Sequence, residues 1–157
     1  MLARPEYGWS DFQLPGTGVY ELSYVNDVAV EWLDQTIRGL DALTPFCVKG
    51  FMEPDRVLCV VSFWNCHIIQ ENDDRNPLGP EDVKYELSHT SMLEFCKALC
   101  RDIGENLDDW VSFVDYADVE GLFDFQKRKE IIETRLLRLE GLITSREKCF
   151  GGNGFFI

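Results

Sequence analysis

The side chains of this chain best suited to nucleophilic or metal chemistry are Cys47, Cys59, Cys66, Cys96, Cys100 and Cys149, with His67 and His89. A reactive thiolate needs an imidazole within hydrogen-bond reach and surroundings that favour its negative charge. Cys66 and His67 are sequence neighbours, but they fall in a segment with strand character, where successive side chains point to opposite faces. His89 can reach a cysteine only through tertiary folding. The acidic surround of the chain raises thiol pKa values, which is the wrong direction for a nucleophile.

Metal chemistry fares no better. Zinc sites are built from two close-spaced ligand pairs. Here Cys59, Cys66 and His67 form one loose group, and Cys96 with Cys100 form an i,i+4 pair on an expected helix. Asp73-Asp74 and Asp108-Asp109 pair carboxylates without the spacing or the glycine of a calcium loop. Gly151, Gly152 and Gly154 precede neither a helix nor a lysine, so no phosphate cradle is expected. These residues predict a protein without catalytic residues, metal or cofactor.

The surrounding elements read as one α+β domain, an antiparallel meander packed by several helices. Its 157 residues, 45% of them hydrophobic, are enough for a core without crosslinks. The expected domain spans 1–157, with an N-terminal arm (1–18) anchored by Trp9 and Phe12 and a flexible C-terminal tail (149–157). No apolar run approaches the roughly 18 residues of a membrane span. The opening MLARPEYGWSDF lacks a signal-peptide core. A cytoplasmic protein with reduced, mostly buried thiols is therefore expected.

In order, Val19–Tyr24 alternates as a strand with Tyr20, Leu22 and Tyr24 inward. Asn26 or Asp27 caps a helix to about Leu40 that carries Trp32, Leu33 and Ile37 on one side. Phe46–Met52, Val57–Phe63 and Cys66–Glu71 follow as strands, the middle one apolar enough to be central. Glu53-Pro54-Asp55-Arg56 forms the first turn, with proline at its second position. Val83–Leu87 fits either an edge strand or a helical turn. Ser91 and Glu94 make a capping box for a helix with Met92, Phe95, Cys96, Leu99 and Ile103 inward and Gly104 as C-cap. A short helix is expected around Trp110. A long helix from about Val119 to Ile143 carries Leu122, Phe125, Ile132, Leu136, Leu139 and Ile143, interrupted by Lys129, and is expected to pack across the sheet. The expected core contains Trp32, Phe46, Val60, Val61, Ile69, Phe95, Leu99, Ile132 and Leu136.

Charge narrows the partner. The chain carries 28 acidic and 15 basic residues, and seven of the basic ones fall within 127–148. A strongly negative remainder repels nucleic acid and anionic membranes and attracts basic proteins. The carboxylates best placed to meet such a partner are Asp73, Asp74, Glu81 and Asp82 in a turn-rich loop, and Asp108, Asp109, Asp115 and Asp118.

Within residues 22–72, Trp32-Leu33, Gly39-Leu40, Glu53-Pro54, Ser62-Phe63-Trp64 and Ile69-Gln70 follow one another in an order that resembles some contact-dependent growth inhibition immunity proteins. The resemblance implies a small bacterial cytoplasmic protein that neutralises a cognate toxin domain by blocking its active site or substrate path. Such toxins are often nucleases with basic clefts. The alternative is an acidic cytosolic adaptor or regulator without catalytic activity. On either reading, all six thiols should react with a thiol reagent under denaturing, non-reducing conditions. Fewer than six in fresh protein would mean that a disulfide exists.

Overall fold

A computed structural model describes residues 1–72, 79–114 and 124–151. The N-terminal segment forms a hairpin of β1 (Trp9–Phe12) and β2 (Tyr20–Ser23). Helix α1 (Val28–Ala42) leads into a four-stranded antiparallel meander of β3 (Phe46–Phe51), β4 (Asp55–Val61), β5 (Cys66–Asn72) and β6 (Lys84–Ser88). Then come α2 (Met92–Glu105), the short α3 (Leu107–Val111) and the long α4 (Phe125–Gly151). The α+β class and the antiparallel meander are as the sequence predicts.

The layers follow from where the apolar stripes point. The inner face of the meander carries Val48, Val57, Cys59, Val61, Cys66 and Ile68, all buried. The hairpin, α1 and α2 cover that face. The hairpin approaches β3 where Gly50 makes room for Leu22, and β6 where the Gly18 amide donates to the Glu86 carboxylate at 3.1 Å. A Cβ on Gly50 would sit 2.5 Å from the Leu22 side chain. Gly39 does the same for α1, since a Cβ there would lie 2.1 Å from the Phe46 ring.

Trp32 joins these pieces. Its ring is 1% exposed and meets Phe12 edge-on at 5.1 Å and Phe95 stacked at 6.3 Å. Its indole N–H donates to the Lys49 carbonyl at 2.8 Å, and the Asn26 amide donates to the same oxygen at 3.2 Å. One side chain thus ties α1 to the hairpin, to α2 and to the backbone of edge strand β3.

Helix α4 lies on α1 and α2, adding a third layer rather than crossing the sheet as expected. Ile132, Leu136 and Leu139 are its buried residues. Alongside them runs a charge ladder. Asp27, Asp34 and Asp41, seven residues apart on the α1 side, face Arg128, Arg135, and Arg138 with Arg146 of α4. Both chain directions increase together, so the two helices run parallel. Asp27 also caps α1 by accepting from the Val30 amide, and Arg128 also donates to the Val111 carbonyl at 2.7 Å.

Several local expectations are corrected. The N-terminal segment folds as a hairpin, β1 pairing with β2; Phe12 anchors it as expected, but Leu2 and Leu14 take the place expected for Trp9. The Leu2 amide donates to the buried Asp102 carboxylate at 2.9 Å, whereas Trp9 stays on the surface. Pro54 takes the third turn position, with a cis Glu53–Pro54 peptide and a Met52 N–H to Asp55 carbonyl bond. Gly104 lies inside the last turn of α2, which Asn106 ends. Cys149 to Gly151 continue α4 rather than beginning a tail. Val60 and Ile69 are only half-buried, because they point to the outer face of the sheet.

Replacing Trp32 by Phe keeps most of the apolar contact and removes one donor, so it should cost about 1–2 kcal/mol. Trp32→Ala should cost about 3–5 kcal/mol. Urea unfolding of both variants measures the difference.

Candidate functional site

The outer face of the meander is the part of the surface least explained by folding. The strand register sets Lys49, Leu58, Ile69 and Tyr85 in one row and Cys47, Val60, His67 and Leu87 in the next. A third row holds Phe51, Arg56 and Glu71, in which Arg56 and Glu71 pair across strands at 2.6 Å. Leu58, Val60, Ile69 and Phe51 are half-buried, and Tyr85 and Leu87 are exposed at 70% and 49%. The amine of Lys49 lies 4.9 Å from the centre of the Phe51 ring. Among the described residues the principal helix packing is all on the opposite face.

That pattern explains why β4 reads as a strand buried on both sides. Arg56-Val57-Leu58-Cys59-Val60-Val61 is apolar at both parities, as in strands covered on two faces. Among the described residues only one face is covered by helices. Phe51, Leu58, Val60, Ile69, Tyr85 and Leu87 are the candidate residues that sequence reasoning placed in the core or passed over. The signal was present: the apolar stripe of α4 is too narrow to cover a second sheet face as well as α1 and α2.

The sequence-predicted carboxylates divide into three groups. Asp73, Asp74, Asp115 and Asp118 lie outside the described residues. Glu81 and Asp82 are exposed in a one-turn 3-10 helix (Pro80–Asp82) just before β6, where Asp82 accepts from the Gly79 amide at 3.0 Å. They share an end of the meander with Glu53 and Asp55 of the β3–β4 turn and with Glu71. Asp108 and Asp109 are engaged within the fold, Asp108 with Lys129 and Asp109 with Arg4, both at 2.9 Å. Their role is to hold α3 against α4 and the N-terminal segment. Lys129, the interruption in the α4 stripe, serves that pair, and its hydrogen bond to Asp108 raises its pKa.

The thiols do not form a reactive centre. Cys66 is buried and His67 exposed, on opposite faces as their adjacency predicts. Burial pushes the Cys96 thiol up to about 12 and the Cys100 thiol up to about 11. The Cys59 thiol is raised by its hydrogen bond with Cys66 and then by burial. All six cysteines are free. Among the described residues no group of three or more His, Cys, Asp or Glu side chains is placed to hold a metal. No helix among them is long and apolar enough to cross a membrane. His89 pairs with the Asn65 side chain at 2.9 Å rather than with a cysteine.

Comparison with protein-family models, curated proteins and solved structures finds no match for this chain.

The Cys59, Cys96 and Cys100 thiols set a pH dependence. Their folded pKa values lie above the ordinary value near 8.5, so the native state holds protons that the unfolded chain releases. Their contribution is fully present below about pH 8.5 and is lost as pH rises towards 11. Urea midpoints should fall between pH 8 and pH 10, and Cys96→Ala should flatten that slope. An equal slope in the variant would remove Cys96 as a source.

Proposed function

We propose that this chain is a non-catalytic inhibitor of another protein, an immunity protein that binds a basic cognate toxin domain and covers its active site or substrate path. The observation that supports this reading most is the outer face of the meander, which no helix among the described residues covers. A one-sided antiparallel sheet normally turns polar side chains to water. This one turns Leu58, Val60, Ile69, Tyr85 and Leu87 outward. Contiguous apolar surface with a polar rim is the composition of a protein-binding patch.

Charge supports the choice of partner. Part of the acidity is spent internally, because Asp27, Asp34, Asp41, Asp108 and Asp109 pair with arginines and lysines of the same chain. The net charge is nevertheless −13. Glu53, Asp55, Glu81 and Asp82 gather at one end of the open sheet, where they can steer a cationic surface towards it. The resemblance over residues 22–72 to contact-dependent growth inhibition immunity proteins points to a toxin domain, often a nuclease, as that surface.

The test is whether a toxin domain is encoded beside this gene and whether that domain associates with this chain. Steering lifts association rates from about 10⁵–10⁶ M⁻¹s⁻¹ towards 10⁸, and salt removes the gain. Replacing Glu81 and Asp82, or Asp73 and Asp74, by lysine should slow association more than it speeds dissociation. An association rate that ignores both salt and these substitutions contradicts a charge-steered partner. An adaptor would instead bind a protein without toxic activity, and co-expression would give no protection against the toxin.

A further inference from the structure

The two edges of the meander are not alike. A residue inside a strand points its N–H and C=O to the same side, and the side alternates along the chain. The Lys49 carbonyl of β3 points away from β4, because it accepts from Trp32 and Asn26. Consequently 46, 48 and 50 bond to 61, 59 and 57, and the even residues of β4 bond to β5. The Met52 N–H to Asp55 carbonyl and Ser62 N–H to Asn65 carbonyl bonds in the two turns obey the same phase. Carried across, it has Lys84, Glu86 and Ser88 bonded to β5 through 70, 68 and 66. The backbone N–H and C=O of Tyr85 and Leu87 then face outward. At the β3 edge the Trp32 and Asn26 side chains occupy the outward Lys49 carbonyl, while nothing among the described residues bonds to the outward groups of β6.

We infer that β6 receives an extended strand from a basic partner protein, in antiparallel or parallel pairing along Tyr85 to Leu87. The outer side chains at this edge, Tyr85 and Leu87, are the most exposed apolar residues of the open face, so an added strand with apolar residues on that side would continue the face. On the inner side the central residue is Glu86, whose carboxylate accepts from the Gly18 amide and the Tyr20 hydroxyl, two neutral donors. A basic side chain on the incoming strand would supply the missing opposite charge. Beyond Leu87 the edge opens into a cleft of about 720 Å³ between the Leu14–Gly16 turn and α2, lined by His89, Glu94 and Arg101 among others. The cleft gives the added strand room to run on.

Glu86 also argues against a second copy as the occupant. Antiparallel pairing of β6 with itself over all five residues sets Glu86 opposite Glu86, and like charges directly opposite destabilise a ladder. Inward charges at an edge are a known guard against self-pairing. The identity of the partner rests on the reading of a basic partner given above; the geometry of the edge does not.

The probe is a peptide of about nine alternating valine and lysine residues, within the usual range of strand lengths, with a variant carrying proline at its centre as control. In the free protein the Tyr85 and Leu87 amides should exchange hydrogen rapidly, and those of Glu86 and Ser88 slowly. The alternating peptide should slow exchange at Tyr85 and Leu87 by about tenfold or more, and the proline variant should not. Leu87→Pro removes the outward N–H and the Leu87 side chain but no bond to β5, at a position where edge strands tolerate proline. It should keep the circular dichroism spectrum of the parent and lose the protection. Equal effects of the two peptides overturn the inference, as does dimerisation through β6 in sedimentation velocity. If a toxin domain binds and Leu87→Pro leaves its affinity unchanged, the strand-addition mode fails while the immunity reading stands. Peptide protection without any toxin association leaves the edge site standing and removes the immunity reading.

Discussion

The hydrogen bond from the Trp32 indole to the Lys49 carbonyl is the constraint on which this architecture depends. An apolar helix can slide or rotate over a sheet, because hydrophobic contact has no direction. A buried N–H must find an acceptor or cost the free energy of an unmade bond. Satisfying the indole at one carbonyl of β3 fixes the rotation and the height of α1 against the sheet edge. The ring faces left over are filled by Phe12 of the hairpin and Phe95 of α2, so three elements take their positions from one side chain. The same bond occupies the outward Lys49 carbonyl at the β3 edge, whereas among the described residues nothing bonds to the outward groups of β6.

The second organising feature is the parallel pairing of α1 and α4. Aspartates at 27, 34 and 41 repeat at the heptad spacing, and Arg128 and Arg135 answer the first two at that same spacing. Each exposed pair contributes little, about 0–1 kcal/mol. The Arg128–Asp27 pair is less exposed and also serves the α1 cap and the Val111 carbonyl, which makes it the strongest candidate for a real contribution. The ladder mainly sets register: Ile132, Leu136 and Leu139 would tolerate a slide that the arginines would not. It also changes how the composition is read, since Arg128, Arg135, Arg138 and Arg146 of the basic block pair with Asp27, Asp34 and Asp41, and Lys129 pairs with Asp108.

How far the sequence could be read depended on whether a single element or a pair of elements decided the outcome. The Ser91–Glu94 capping box, the buried stripe of α2 and the strand order are local patterns, and the structure has them as expected. Val60 and Ile69 were misplaced because burial of a strand residue depends on what lies over its face, which no local pattern states. Trp9, expected as an anchor, stays on the surface, while Leu2 and Leu14 hold the N-terminal segment through long-range packing and the Asp102 carboxylate. Asp108 and Asp109 looked available because their partners, Lys129 and Arg4, lie far away in sequence. The candidate site was hidden for the same reason: an edge is defined only once the other strands are in place.

The central claim is that the working surface of the protein is the open face of the meander with its β6 edge. Hydrogen exchange of the chain, alone and mixed with the basic toxin domain proposed as its partner, addresses this directly. Protection on mixing is expected to concentrate at Tyr85 and Leu87, with further slowing in β4 and β5 beneath Leu58, Val60 and Ile69. Protection confined to α3 and α4 with β6 unchanged, or no change anywhere, would contradict it.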